Sequence, residues 1–376
     1  MNLTQKIPLL GNLSPQRFMK TVWQRQPRLV KQAIPNYLSA VTPAEVLKLC
    51  TRDDLESRLI IREGKRWHFE SGPFSAKALK SLPAKNWTVL VQGINTVVPE
   101  AHALLGRFAF IPYARLDDVM VSLAAPGGGV GPHFDSYDVF LLQGQGRRRW
   151  KISEQADLTL REDVPLKILK KFVPTNDWVL NPGDMLYLPP QCAHDGIAVD
   201  QCLTFSIGFR APSAIEITSA GLEYVLDEAV AGAKFSSSSK PEVLGASNTP
   251  AQLPATYIAR FQSTLNQLRW SRDEASTLAG VYASTPKSHI VFDAQHAPLN
   301  AAQFKRALST RVITLHPATI ALYDEKMMYV NGEASPREDA LLPLLNLRRW
   351  VAPSNLSPTV AKRIHQWFGS GWVEFS

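Results

Sequence analysis

Cysteine is scarce in this 376-residue chain: Cys50, Cys192 and Cys202 are the only three, and no two of them form a CxxC. An odd count without that spacing argues against both a disulfide framework and a zinc ribbon. Long apolar runs are missing as well. No uninterrupted stretch reaches the length of a bilayer-spanning helix, so no membrane partner is expected. The first residues, MNLTQKIPLLGNLSPQ, lack a basic region leading into a long apolar core and a small-residue cleavage site. No secretory signal is read there, and a cytoplasmic location is expected. Acidic residues are the minority charge, 33 against 41 Lys and Arg, which leaves a net charge of +8. That excess favours an anionic partner such as nucleic acid or a ribonucleoprotein, although mildly basic chains are also common. The remaining composition, 45% apolar and 20% charged, is that of a globular chain long enough for two or three domains.

The stretch from Asp117 to Trp150, DDVMVSLAAPGGGVGPHFDSYDVFLLQGQGRRRW, organises the rest. Asp118 to Ala124 alternates: Val119, Val121 and Leu123 form a core face, and Asp118, Met120, Ser122 and Ala124 form the lining of a cavity. After the loop Pro126-Gly127-Gly128-Gly129, His133 and Asp135 are predicted to lie on a strand. There residues i and i+2 share a face, so an imidazole and a carboxylate are presented side by side. Arg147 to Ile152 alternates again, with Arg148, Trp150 and Ile152 on one face and Arg147, Arg149 and Lys151 on the other. A cation on the apolar face requires an anionic partner.

Before this stretch, Ser14-Pro15 and Thr42-Pro43-Ala44-Glu45 read as helix starts. Arg28 to Ala33, the two halves of a hairpin from Arg58 to Phe69 turning at Glu63-Gly64, and Trp87 to Gln92 read as strands. After it come a polar insertion, 153–180, ending in a strand, then a turn at Asn181-Pro182-Gly183-Asp184 and a strand from Met185 to Leu188. Leu203 to Phe209 alternates with a small polar face of Thr204, Ser206 and Gly208. Short strands divided by turns predict an antiparallel sandwich or barrel with a lined mouth. Beyond Pro212, Ser213-x-x-Glu216 opens a helix with Ile215, Leu222, Val225 and Leu226 at helical spacing. A serine-rich loop follows, then a helix from about Pro254 with a stripe of Tyr257, Ile258, Phe261, Leu265 and Leu268. Such stripes exceed what two helices bury between themselves, which predicts a homodimer. From Ser288 the order helix, strand, strand, helix, helix fits a winged-helix-like module, with helices expected over Asp339–Trp350 and Ser357–Trp367. Arg348, Arg349, Lys362 and Arg363 are read as solvated helix faces or as phosphate contacts.

Among the eight histidines, His194 is the best third partner for His133 and Asp135, since it follows the strand stop Pro189-Pro190. Two histidines, one carboxylate and open positions make the facial triad of non-haem Fe(II) oxygenases. Arg148 would then meet the far carboxylate of a chelating cosubstrate such as 2-oxoglutarate. Read as structure only, both histidines are satisfied core residues and Arg148 pairs with an internal aspartate.

The motifs PGGGVGPHFDSYDVFLLQGQGRRRW, NPGDMLYLPPQCAH and SIGFRAP resemble those of the JmjC-type ribosomal oxygenases, in their bacterial branch acting on an arginine of large-subunit ribosomal protein 16. The resemblance covers nearly the whole chain. It implies a mainly β plus α chain: a double-stranded β-helix of the JmjC/cupin-like kind over 1–211, a helical dimerisation segment over 212–285 and a winged-helix-like domain over 286–376. It further implies Fe(II) held by His133, Asp135 and His194, with Arg148 and Ser122 on 2-oxoglutarate and O2 as the second cosubstrate. A substrate arginine requires an acidic or hydrogen-bonding pocket, for which Asp118, Met120, Tyr137 and Ser206 are the candidates; Asp118 could instead serve a structural arginine, Arg115 or Arg210. Ala124 and the Gln191-Cys192-Ala193 tripeptide depart from the family pattern. The rival readings are a non-catalytic cupin-like module contacting RNA or protein, and a demethylase using the same iron chemistry.

Overall fold

The computed structural model describes residues 2–230, 270–293, 299–353 and 356–376. They form two compact units. One comprises Met1–Ala211, Pro286–Ile320 and Asp339–Ser376; the other comprises Pro212–Thr285 and Ala321–Glu338.

The first unit opens with α1 (Pro15–Thr21), β1 (Arg28–Val30), α2 (Pro43–Leu49), β2 (Ser57–Glu63), β3 (Arg66–Ser71), α3 (Ala76–Lys80), β4 (Trp87–Val91) and α4 (Pro99–Gly106). The capping signals operate as read. Ser14 accepts from the Arg17 amide at 3.2 Å, and Thr42 and Glu45 satisfy each other's backbone donors. Then follow β5 (Leu116–Ala124), β6 (Val139–Gln145), β7 (Arg148–Ser153), β8 (Asn176–Leu180), β9 (Met185–Leu188), β10 (Ala193–Ala198) and β11 (Cys202–Phe209). Eight strands form one antiparallel sheet in the order β1-β9-β6-β11-β5-β4-β2-β3, and β10-β7-β8 form a smaller one. Val139, Leu141, Leu186 and Leu188 of the large sheet cluster with Trp150, Ile152 and Leu180 of the small one, so the two sheets close on each other as a double-stranded β-helix. The opposite face of the large sheet carries the main core. Val119, Val121 and Leu123 are fully buried there, and Phe140 packs among Phe18, Phe108, Tyr187 and Phe209 at ring separations of 4.8–5.7 Å.

The strand expected at His133 is not formed. His133 makes a single bridge to His194, exchanging backbone hydrogen bonds of 2.9 and 2.8 Å. Pro132 has no N–H to extend a ladder, and Gly131 stands at φ +82. Conversely, His194 does not trail a strand but is the second residue of β10, whose small residues give little alternation to read. The glycine loop joins the two sheets through backbone alone: Gly127 N–H donates to the Ala198 carbonyl at 2.8 Å and Ala198 N–H to the Gly128 carbonyl at 2.9 Å. A Cβ at Gly128 would collide with the Trp87 carbonyl, and one at Gly129 with the Gly196 carbonyl.

The second unit contains α5 (Ala214–Val230), started by Ser213 and Glu216, and α6 (Arg272–Ser284), started by Ser271 and Glu274. It also contains β13 (Ala321–Tyr323), β14 (Met327–Val330) and β15 (Glu333–Pro336), the last two joined at Asn331-Gly332 with φ of 50 and 87. The expected stripe of Tyr257, Ile258, Phe261, Leu265 and Leu268 lies outside the described residues.

The first unit is completed by α7 (Ala301–Leu308), β12 (Ile313–Leu315), α8 (Leu342–Leu347), β16 (Arg349–Trp350), α9 (Pro358–Gly369) and β17 (Val373–Phe375). The single helix expected over Asp339–Trp350 is corrected to a 3₁₀ turn, the short α8 and a strand. Arg348 breaks the helix at φ 57, and Arg349 and Trp350 then pair with Thr314 and Ile313. Arg348 is thereby turned to donate to the His316 and Pro317 carbonyls at 2.9 and 3.4 Å, so it is not the solvated helix residue that was expected.

Burial, with the nearby Arg348 charge, pushes the imidazole of His102 down to about 4. Its neutral form is the folded form, whereas the unfolded chain binds a proton below about 6.5. Stability from this group is therefore present above about pH 6.5 and lost as pH falls toward 4, at roughly 1.4 kcal/mol per unit at most. Urea unfolding at pH 7 and pH 5 checks this, with His102→Gln expected to flatten part of the slope.

Candidate metal centre

His133, Asp135 and His194 bring three ligand atoms within 4.8 Å of one another. The imidazole centroids are 4.2 Å apart, and His194 Nε2 lies 3.7 Å from an Asp135 oxygen. Each ring is oriented in the same way: His133 Nδ1 bonds the Gly131 carbonyl at 2.8 Å, and His194 Nδ1 bonds the Cys192 carbonyl at 2.9 Å. A carbonyl only accepts, so both Nδ1 atoms carry hydrogen and both Nε2 lone pairs are free for a metal. Burial and the neighbouring His133 push His194 down to about 4, which keeps it in the neutral, ligating form. Asp135 is steadied from behind, where its carbonyl accepts from the Gln191 amide at 2.7 Å.

Arg148 lines the same cavity as these three, 3% exposed, on the face of β7 that alternation assigned to it. Its guanidinium donates to Ser122 Oγ at 2.8 Å, Thr204 Oγ1 at 3.5 Å and the Gly196 carbonyl at 3.2 Å, and it stacks over the Trp150 ring at 5.1 Å. Nε is buried without a partner, and among the described residues no carboxylate pairs with the group. Burial pushes its pKa down, as for a charge short of an anion. Arg147 and Arg149 face away, onto Asp200 and Asp177. The internal aspartate partner that a purely structural Arg148 would need is thus absent among the described residues.

One cavity of about 500 Å³ takes in the three ligands, Arg148, Ser122, Asp118, Met120, Tyr137 and Ser206. The residues proposed from the sequence as metal ligands, cosubstrate contacts and substrate contacts all line it. Ala124 is the exception on its strand face, being packed with Ala198 and Cys202. Asp118 is not held by Arg115 or Arg210. It accepts from Gln92 Nε2 at 2.9 Å and from Lys287 Nζ at 2.8 Å, while Asp117 takes Lys287 at 3.0 Å and Arg210 at 3.6 Å. Burial, followed by Asp117, raises the Asp118 pKa against the lowering pull of Lys287. Tyr137 is raised by burial and by the Asp135, Asp118 and Asp117 charges. The sequence reading missed Gln92, Lys287 and the contribution of the insertion, whose Pro165, Leu166 and Lys167 line the cavity. The insertion is tied to the ligand loop by the Leu169 amide on the Pro132 carbonyl at 2.8 Å. No local pattern marks these residues; they arrive by long-range packing.

A double-stranded β-helix presenting His-x-Asp and a distant His to one cavity defines a class, and residues 103–217 match the family model of the JmjC domain. Over 227 residues the chain is 37% identical to the ribosomal protein uL16 3-hydroxylase of Escherichia coli (strain K12), covering 60% of each chain. Over 207 residues it is 38% identical to a probable ribosomal oxygenase of Haemophilus influenzae, covering 54% of this chain and 51% of that one. The chain therefore spans between half and two thirds of the length of these curated relatives. In structure it is similar to YcfD, a ribosomal oxygenase from Escherichia coli solved in complex with cobalt and 2-oxoglutarate. The TM-score there is 0.82 at 28% identity, over 97% of this chain and 98% of that one.

The donor set suits a divalent transition metal. Titrating Co(II) into the purified protein should give saturable binding with the visible spectrum of a coordinated ion. His133→Ala, Asp135→Ala and His194→Ala should each weaken it by more than the roughly 10- to 100-fold typical of losing an outer partner. Undiminished binding in any of the three removes that residue from the set.

Proposed function

We propose that this protein is an Fe(II)- and 2-oxoglutarate-dependent oxygenase that hydroxylates an arginine side chain of a large-subunit ribosomal protein, protein 16 by resemblance. The observation carrying this reading is a buried guanidinium without an acid, in the same cavity as a three-ligand cluster. In this reading His133, Asp135 and His194 would hold the metal. Arg148 and Ser122 take the far carboxylate of 2-oxoglutarate, which supplies the missing anion as a charge-assisted, bidentate contact. Fe(II) with 2-oxoglutarate and O2 supplies the oxidant that converts C–H to C–OH while the cosubstrate loses CO2 and becomes succinate. The protein's share is positioning and exclusion of water. Trp150 walls one side of Arg148 and packs 5.8 Å from His194, and the insertion roofs the ligand loop. Asp118 faces the substrate cation, with Met120, Tyr137 and Ser206 shaping the approach.

In the same reading, residues 1–211 carry the chemistry, 212–285 pair two subunits and 286–376 form a winged-helix-like module that helps embrace the ribosomal protein. Ile215, Ile217, Leu222 and Leu226 of α5 are exposed apolar residues that a twin subunit would cover. Among the described residues no helix is long and apolar enough to cross a membrane, and a cytoplasmic site of action accords with a ribosomal target. A non-catalytic module contacting RNA explains the net positive charge but leaves Arg148 without a role. A demethylase shares the metal chemistry and differs in its substrate pocket.

Two measurements test the reading. Arg148→Ala should raise the 2-oxoglutarate requirement for succinate formation about a hundredfold, and Arg147→Ala should not. An equal effect from both would overturn the assignment of Arg148. Mass spectrometry of ribosomal proteins from cells with and without the gene should show one protein heavier by a single oxygen, on arginine. A difference of one methyl group on lysine would favour the demethylase, and strong RNA binding without succinate would favour the module.

A further inference from the structure

The acid assigned to the substrate cation already holds one. Asp118 is buried on the cavity wall and shares Lys287 Nζ with Asp117, at 2.8 and 3.0 Å. Lys287 comes from a segment 169 residues further along the chain. Its side chain is 37% exposed, against 8% for Asp118. The asymmetry matters physically. An ammonium on a flexible stem at the edge of the site can withdraw into water, where it is well hydrated. Asp118 cannot follow it, and an unpaired carboxylate in that position is penalised by desolvation. Gln92 donates two N–H···O contacts to the same carboxylate, at 2.9 and 3.2 Å, but brings no charge. Removal of Lys287 is therefore offset only if another cation takes its place.

We infer that Lys287 belongs to the substrate site as a displaceable internal cation: it occupies Asp118 when the site is empty, and a cationic substrate side chain must expel it. The inference rests on the proposed arginine substrate. A guanidinium offers a planar fork to the two carboxylate oxygens, whereas Lys287 places one ammonium between two aspartates. The exchange leaves the site's charge unchanged. The tethered competitor lowers the apparent affinity for any cationic side chain by one common factor, because the binding-competent state is only the fraction in which Lys287 has left. It therefore tunes how tightly substrate is held without altering the preference for arginine over lysine.

The experiment uses the full chain loaded with Co(II) and 2-oxoglutarate at pH 8, titrated calorimetrically with a peptide bearing one arginine between neutral residues and with its lysine twin. Lys287→Met, similar in length and without charge, should tighten the arginine peptide about tenfold and the lysine peptide by a like factor. Lys287→Arg, a stronger internal competitor, should weaken both. In the wild type, saturation with the arginine peptide should raise acylation of Lys287 by an amine-reactive ester, read by peptide mass mapping; this arm decides even where a variant fails to fold. If the arginine peptide binds but Lys287→Met weakens it or leaves it unchanged, or if acylation of Lys287 does not rise, the inference is overturned and the proposed function stands. If neither peptide binds the wild type or the Met variant, the arginine reading falls and this inference falls with it.

Discussion

A pair of backbone hydrogen bonds between His133 and His194 is the constraint on which the site depends. Among the described residues it is the single β-bridge made by the ligand loop, and it brings the two imidazoles to 4.2 Å between centroids, tilted 57° to one another. Each ring is then rotated into place by its own chain, through a carbonyl two residues earlier. Backbone bonds between extended segments are short and directional, so the ligand separation is inherited from the sheet rather than from rotamer choice. The small sheet extends the same register: His194 opposes Ile152, and Ala198 opposes Arg148, which carries the metal site and the cation at opposite ends of one strand pair.

Arg148 shows the opposite economy. Nothing in the fold requires a guanidinium in this location, since Trp150 and Ile152 would complete the face as an apolar strand. Burying it costs desolvation that two hydroxyls, one carbonyl and an aromatic face offset only partly. Such a group is retained where a ligand completes it. The same holds in milder form for the acid pair, Asp117 and Asp118, whose charge is shared with a lysine from far along the chain.

Much of this was legible because it is periodic. Period-two alternation put Asp118, Met120 and Ser122 on one face of β5 and singled out Arg148 from its two neighbouring arginines, and these four side chains line the cavity while Arg147 and Arg149 face away. Helix starts were equally legible, because a cap and its partner lie three residues apart. What escaped was decided elsewhere. His133 looked like a strand residue from its own neighbours, but Pro132 and Gly131 limit the pairing to one bridge. Strand β10, rich in small residues, owes its existence to β7. The helix expected through Trp350 was cut short by the pairing of Arg349 and Trp350 with β12, which no local propensity announces. Lys287, 169 residues from its acid, could be found only by folding the chain.

The glycine loop carries a consequence for how such a site can be lost. Residues 127–129 are not among the three ligands, yet they form a seam at which the two sheets are stitched, with backbone carbonyls where a methyl group would have to sit at Gly128 and Gly129 and the Asn86 side-chain oxygen at Gly127. A substitution there would leave every metal ligand and Arg148 intact in the sequence while prising apart the strands that carry them. Chains that keep the full set of chemical residues can therefore be inert, and the residues diagnostic of a working centre include three that have no side chain.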